Sequence, residues 1–462
     1  MNPIILGVDI GSSKICAIIA ELKEGTPQII GASTQKSEGV RKGSVSNISQ
    51  AGEIVKKAIE DAKRMAGLDF VEKAIVSISG AYTQSVNSSG IINVPNNEIT
   101  LKEINRGLDT ALHNASIPAG HEVIHILPYQ FKLDNQDNIE DPMGMSGSRL
   151  EVFTHIVTVQ HSSLENLRRV IQIAGVKIEN IVLSAYAASI AVLSEDEKTL
   201  GVACIDIGGS TCNIMVYEGN SMRFNGYVPV GSEHIRDDLA IGLHTPLGAA
   251  EFVKREYGNL LAEESDQEIE VPAVGAENKK NRFPLKFVHE IINTRVLEVF
   301  NLLNNALISS KLKDSLGRGV VLTGGMTHMQ GIQNVAGAIF GNMPVRIAKP
   351  MEISGLFEEL KDPTYAVAIG LILYGAGGHT NYEKDSEKTI RYKESRHNAQ
   401  PTFTYAPERN YIETDLTNLK HNSEPLKESG KERKKDIMYP YSNAPKEAGF
   451  FERIKEWGSK LF

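Results

Sequence analysis

The sequence predicts an α/β fold built twice, and two observations carry that prediction. The first is a repeated segment: Gly7-Val8-Asp9-Ile10-Gly11-Ser12-Ser13-Lys14 near the start and Cys204-Ile205-Asp206-Ile207-Gly208-Gly209-Ser210-Thr211 near the middle. Each is an apolar run ending in Asp, then a turn of glycines and hydroxyls, then more apolar residues, which reads as a β-hairpin. The second is Gly319-Val320-Val321-Leu322-Thr323-Gly324-Gly325-Met326, an apolar strand that breaks at a Gly-Gly turn before a helix. Two copies of one hairpin, opening two halves of similar size, imply a duplicated fold with a ligand cleft between its lobes.

The elements follow in order. Residues 4–8, 15–21 and 28–33 read as strands and 48–65 as an amphipathic helix, with 74–80 a short strand closing an α/β unit. Residues 81–160 differ in texture, with strand 90–94, helix 101–113 and strand 123–133, which reads as an inserted small α+β module. Helical spacing returns at 162–174 and 184–193, leading into the second hairpin. Beyond it, 231–257 and 284–311 read as helices around a polar stretch, 261–282, expected to hold short strands. Residues 364–377 form a last helix. From Asn381 the chain turns to Lys, Glu, Asn, Ser and Pro, the composition of a disordered linker.

The repeated turns have a chemistry of their own. Glycines let backbone approach an anion, and turn N–H groups and hydroxyls can point at phosphate oxygens. The Asp that ends each strand can hold hydrated Mg²⁺ on the same polyphosphate. A Gly-Gly turn at 324–325 exposes backbone against which a flat adenine can lie. One such loop alone is most simply a hairpin turn; three in this order predict a nucleotide site.

Residues 450–462 form the second informative segment. At about 100° per residue, Phe450, Phe451, Ile454, Trp457, Leu461 and Phe462 share one face and the charged residues the other. At about 1.5 Å per residue such a helix is too short to cross a bilayer but long enough to lie in its interface. A helix docked on the chain's own core and one held in a partner's groove are the alternatives, and a long polar linker argues against the first.

Composition excludes several classes. The 462 residues are too many for one core. A net charge of -8, without any aromatic-basic stripe, gives no footprint for nucleic acid. Cys16, Cys204 and Cys212 lack metal-ligand spacing and read as core residues of a reduced, cytoplasmic protein. No secretory signal opens the chain, and the apolar runs 181–193 and 366–376 are too short to span a membrane.

The three loops, with connecting helices at 184–193 and 366–375, resemble the superfamily of actin, the heat-shock chaperones and the sugar kinases. That resemblance implies an actin-like/ribonuclease-H-like duplicated fold. It implies that Gly11, Ser12, Ser13 and Lys14 face the phosphates of ATP from one lobe and Gly208, Gly209, Ser210 and Thr211 from the other. Asp9 and Asp206 would bind Mg²⁺ through water, and Gly324, Gly325 and Met326 would flank the adenosine. Glu251 and Lys254 match the pair that reaches the ribose and base, or else form an i,i+3 ion pair.

Within the superfamily, Val76-Ser77-Ile78-Ser79-Gly80, Val123-Ile124-His125-Ile126-Leu127-Pro128, the run Asp141-Pro142-Met143-Gly144-Met145-Ser146-Gly147 and the terminal helix resemble the bacterial FtsA family of cell-division proteins. The resemblance implies lobe one at 1–80 with 161–199 and 364–380, an inserted filament-contact module at 81–160, and lobe two at 200–243 with 311–363. It adds a partner-binding subdomain at 244–310, a linker at 381–446 and a membrane-targeting helix at 447–462. The implied protein is peripheral, at the cytoplasmic face of the cell membrane at the division site. It binds ATP, polymerises with itself, contacts lipid and tethers FtsZ, the tubulin-like division GTPase, while recruiting other divisome proteins. Arg295 and Asn304 are its candidate partner-facing residues.

Two departures qualify this. Hydrolytic relatives begin the connecting helix with an acidic or amide residue that positions water, and here that position is Ser184, so slow or no ATP hydrolysis is expected. Tyr82 stands where the family usually carries His. Two rivals share the fold. A sugar or metabolite kinase needs a base beside its substrate hydroxyl, and no such motif is found; an actin-like pilus-assembly protein carries a similar module without the terminal helix.

Overall fold

The computed structural model describes residues 2–262, 266–275 and 279–393. The linker beyond 393 and the amphipathic helix, with Phe450, Phe451, Ile454, Trp457, Leu461 and Phe462, lie outside the described residues.

The first lobe opens with strands β1 (Ile4–Ile10), β2 (Lys14–Lys23) and β3 (Thr26–Lys36), a small hairpin of β4 (Val40–Arg41) and β5 (Ser44–Val45), helix α1 (Ile48–Ala66) and β6 (Lys73–Ile78). Helix α1 starts where Asn47 caps the amide of Gln50 and stops at Gly67 in the left-handed region, and its apolar face closes over β2 and β3. The inserted module follows as β7 (Thr83–Asn93), α2 (Leu101–Asn114), β8 (His121–Leu133), β9 (Gln136–Ile139) and β10 (Arg149–Gln160). The chain returns to the first lobe through α3 (His161–Ile173), β11 (Lys177–Leu183) and α4 (Ser184–Val192).

Helix α5 (Glu195–Leu200) leads to the second lobe: β12 (Val202–Ile207), β13 (Cys212–Glu218), β14 (Ser221–Val228), α6 (Ser232–Gly242), α7 (Leu247–Tyr257), β15 (Glu268–Pro272), β16 (Lys280–Pro284), α8 (Leu285–Ser309), β17 (Val320–Thr323), α9 (Ile332–Ile339) and β18 (Val345–Ile347). Helix α10 (Ala366–Leu373) crosses back, and β19 (Glu383–Lys384) and β20 (Ile390–Arg391) end the described chain.

The duplication is visible in the sheets. One runs β11-β6-β1-β2-β3 and the other β14-β13-β12-β17-β18, so each is an antiparallel three-strand meander extended by parallel strands on its first member's far side. Three apolar cores result: one centred on the first lobe that also takes in Cys204, Met215 and Val321 of the second sheet and Ile124 and Val157 of the module, one in the second lobe, and one in the module. Helices α4 and α10 are buried on every side. They meet where a Cβ on Gly370 would lie 1.8 Å from the Ala187 carbonyl, so glycine is what lets the two interlobe helices touch.

Two expectations are corrected. The helix read over 231–257 is two, α6 and α7, because Pro246 cannot continue a helix and His244 takes a positive φ of 46°. Residues 381–393, read as linker, are ordered and extend the module's sheet as β20-β19-β8-β10-β7. Composition misled because their charges are consumed internally. The buried Glu383 accepts hydrogen bonds from the Tyr186 hydroxyl, the Tyr374 hydroxyl (2.6 Å) and the Thr380 amide (3.2 Å). Asp385 accepts from Asn180 and Arg391, both at 2.9 Å, Lys384 reaches Asp109, and the Tyr382 hydroxyl donates to Asp141 at 2.6 Å. This strap binds the module to the first lobe.

Candidate functional site

The two predicted loops are the same turn. In the first, the Gly11 amide donates to the Lys14 carbonyl at 3.0 Å; in the second, the Gly208 amide donates to the Thr211 carbonyl at 2.9 Å. The strands before them set Asp9 opposite Cys16 and Asp206 opposite Asn213. Both turns open into one cavity of about 1280 Å³ between the lobes.

Of the residues singled out in the sequence, Asp9, Gly11, Ser12, Ser13, Lys14, Asp206, Gly208, Gly209, Thr211, Glu251, Lys254, Gly324, Gly325 and Met326 line that cavity, and so does Ser184 at the start of α4. Ser210 does not: it is buried, with its hydroxyl unpartnered. Gly324 sits at φ +90°, where a Cβ would meet the Asp206 carboxylate at 2.4 Å, so the third loop presses its backbone directly on the second. Arg295 and Asn304 on α8 are not among the lining residues. Arg295 makes a two-pronged bond to Asp238 (2.6 and 2.9 Å), and Asn304 accepts from Lys313 at 2.7 Å.

The electrostatics centre on Lys14. Its ammonium is buried without a hydrogen-bond partner and lies 3.3 Å from the Tyr365 ring centroid. Burial holds it below the ordinary lysine range, against the pull of Cys16, Asp9, Asp206 and Asp362. The two carboxylates share the strain. Burial pushes Asp9 up, opposed by Lys14 and by the Ser77 hydroxyl bonded at 2.8 Å. Burial and the neighbouring Asp9 push Asp206 up to about 7. An unpartnered cation beside two costly carboxylates is a site short of both an anion and a cation. A polyphosphate with its metal meets both demands, and the residues fit one.

Glu251 and Lys254 form the ion pair that is one of the two readings, and both line the cavity. Their 2.7 Å ion pair forms on α7, facing the cavity, with Lys254 also reaching the Ser232 carbonyl at 3.3 Å. Sequence reasoning missed Ser37, whose buried hydroxyl also lacks a partner, and Glu233, which accepts from Ser13 at 2.9 Å across the lobes. It also missed Asp362, bonded to His328 at 3.0 Å. None lies in a glycine turn, so only the fold brings them in.

Among the described residues no helix is long and apolar enough to cross a membrane. A family model described as Cell division protein FtsA matches residues 203–370, and another, SHS2 domain inserted in FTSA, matches residues 80–158. The Cell division protein FtsA of Helicobacter pylori strain J99 is 43% identical over 99% of both chains. Its counterpart in Pseudomonas aeruginosa strain PAO1 is 35% identical over 80% of this chain and 89% of its own. A solved PilM-PilN type IV pilus biogenesis complex matches with a TM-score of 0.58 at 16% identity, covering 80% of this chain and 98% of that one, a likeness of fold.

Proposed function

The chain belongs to the FtsA family of cell division proteins, with that family's actin-like fold and inserted module, and we propose that it is an ATP-dependent membrane tether for FtsZ. In this reading it clasps Mg²⁺-ATP between its lobes, assembles with copies of itself, and holds FtsZ and later divisome proteins at the cytoplasmic face of the cell membrane.

The observation that carries the ligand is the Lys14 ammonium, buried and unpartnered between two identical turns. Bound nucleotide would supply the polyphosphate and metal charge that this site lacks. Lys14 and the amides of the 11–14 and 208–211 turns would hold phosphate, Asp9 and Asp206 the metal, and Gly324, Gly325 and Met326 the adenosine. Ser184 lines the cavity where a water-positioning acid or amide would stand, and a serine hydroxyl is a weak base. Slow hydrolysis follows, with ATP acting as an assembly ligand.

For FtsZ, the small subdomain is the candidate surface. Arg295 and Asn304 sit there on α8, and Leu297 and Ile308 are exposed on the same helix. Eleven residues at about 100° each bring those two apolar side chains to one side of it. Contact with lipid rests on residues 450–462.

Vesicle flotation tests the tether. FtsZ should float with lipid only when the full chain is added, and not when the chain lacks residues 450–462. Flotation of FtsZ with the truncated chain would overturn the proposal.

A further inference from the structure

The inserted module touches both lobes, and the two attachments differ in kind. To the first lobe it is fixed by covalent roots at both ends and by the strap, whose Glu383, Lys384 and Asp385 are buried in hydrogen bonds to α4, α2 and β11. The second lobe meets it at a few side chains of one hairpin. His155 on β10 is buried between Asn87 of the module, 2.8 Å from Nδ1, and Asn225 on β14, 2.9 Å from Nε2. The Arg223 guanidinium lies 4.5 Å above the Tyr129 ring of β8. At the module's root, the Gly80 amide and the Ser79 hydroxyl donate to Asn213 Oδ1 on β13, at 2.9 and 3.2 Å.

That hairpin, β13–β14, carries the second phosphate turn at its start, and Asn213 stands directly across from Asp206. The lobes can therefore separate only if these contacts let go, since the strap keeps the module with the first lobe. Burial pulls His155 down to about 4, against the hydrogen bond to Asn225, so its ring is neutral. Such a contact is specific but carries no salt bridge, which suits a grip that must release.

We propose that the inserted module is a latch on the back of the cleft, gripping the β13–β14 hairpin through His155–Asn225 and Tyr129–Arg223 and setting how fast nucleotide leaves. The inference rests on the nucleotide reading above. Neither pair lines the cavity, so the latch acts on the angle between lobes and leaves the nucleotide contacts alone. A partner that pulled the module off the hairpin would thereby speed exchange.

Release of a fluorescent ATP analogue from the full chain, chased with excess ATP in a stopped-flow instrument, tests it. Arg223→Ala and Tyr129→Ala should each speed release roughly twofold to fivefold, the worth of one cation–π contact near the surface. The double variant should be no faster than either single one, and Tyr129→Phe, which keeps the ring, should release as the wild type does. Asn225→Ala, nearer the core, should also speed release. If the analogue binds the wild type but Arg223→Ala and Tyr129→Ala release it at the wild-type rate, or their effects add, the latch is overturned while the nucleotide site stands. Failure of the wild type to bind the analogue or ATP overturns both.

Discussion

At the scale of single residues, the cleft is built around charges placed at a cost. An ammonium without a hydrogen bond is stabilising only once an anion arrives, so Lys14→Met should weaken ATP binding by roughly tenfold to hundredfold, the worth of about 1.5–3 kcal/mol for a hydrogen bond to a charged group. The same change removes a buried cation without a hydrogen bond but also the charge that opposes the rise of Asp9 and Asp206, so the melting temperature of the ligand-free protein should shift little by comparison. Calorimetric titration and thermal melts read the two effects. Glu383 gives a second case. Burial above all raises its carboxyl to about 7, against the Tyr186 and Tyr374 hydroxyls and Arg391, from an ordinary value of 4.5. The folded chain therefore holds a proton that the unfolded chain has lost between those values, and stability falls as pH rises through that window. Measured against Glu383→Gln, which cannot ionise, the wild type should lose stability from pH 4.5 to 7 at a slope of up to about 1.4 kcal/mol per unit. Parallel pH profiles of the two proteins would contradict the assignment. These residues differ in legibility. Lys14 announces itself because it ends a glycine turn, whereas Glu383 sits in a stretch whose composition reads as linker, and only its burial among two tyrosines and an arginine gives it a role.

At the scale of elements, the hairpins were readable because strand, Asp and glycine turn follow one another without a gap, so local pattern determines the geometry. Strand β10, between β8 and the edge strand β7 of the module's sheet, is less so. Leu150, Val152, Thr154 and Ile156 alternate inward along it, but its register comes from β7 and β8 on either side, which are distant in sequence. The break between α6 and α7 is marked by Pro246, but apolar spacing continues through it and reads as one helix. The strap could be recognised only from its partners: β19 pairs with β8 through Lys384 and Ile126. Its structural importance is testable by truncation. A chain ending after Lys393 should melt like the full protein. One ending after Thr380 exposes the β8 edge, takes Glu383 from the Tyr186 and Tyr374 hydroxyls and leaves Asn180 and Asp109 without their strap partners, so it should melt lower, with faster amide exchange along residues 121–133. Equal melting and exchange in the two truncations would show that the strap does not hold the module.

At the scale of the whole molecule, duplication makes a cleft with one glycine turn on each wall, and the buried helices α4 and α10 cross between the walls where Gly370 meets Ala187. Fast hydrolysis would require a group that positions water, and the proposed reading gives that position to Ser184, which lines the cavity. On the proposed reading the chain is a clamp for nucleotide rather than an engine driven by it. One measurement tests that claim most directly: radiolabelled ATP is mixed with excess full-length chain and Mg²⁺, and the protein-bound label is recovered and resolved into ATP and ADP over time. The account predicts that label binds in proportion to protein and stays ATP for minutes. Absence of bound label, or conversion to ADP within seconds that Asp206→Ala abolishes, would contradict it.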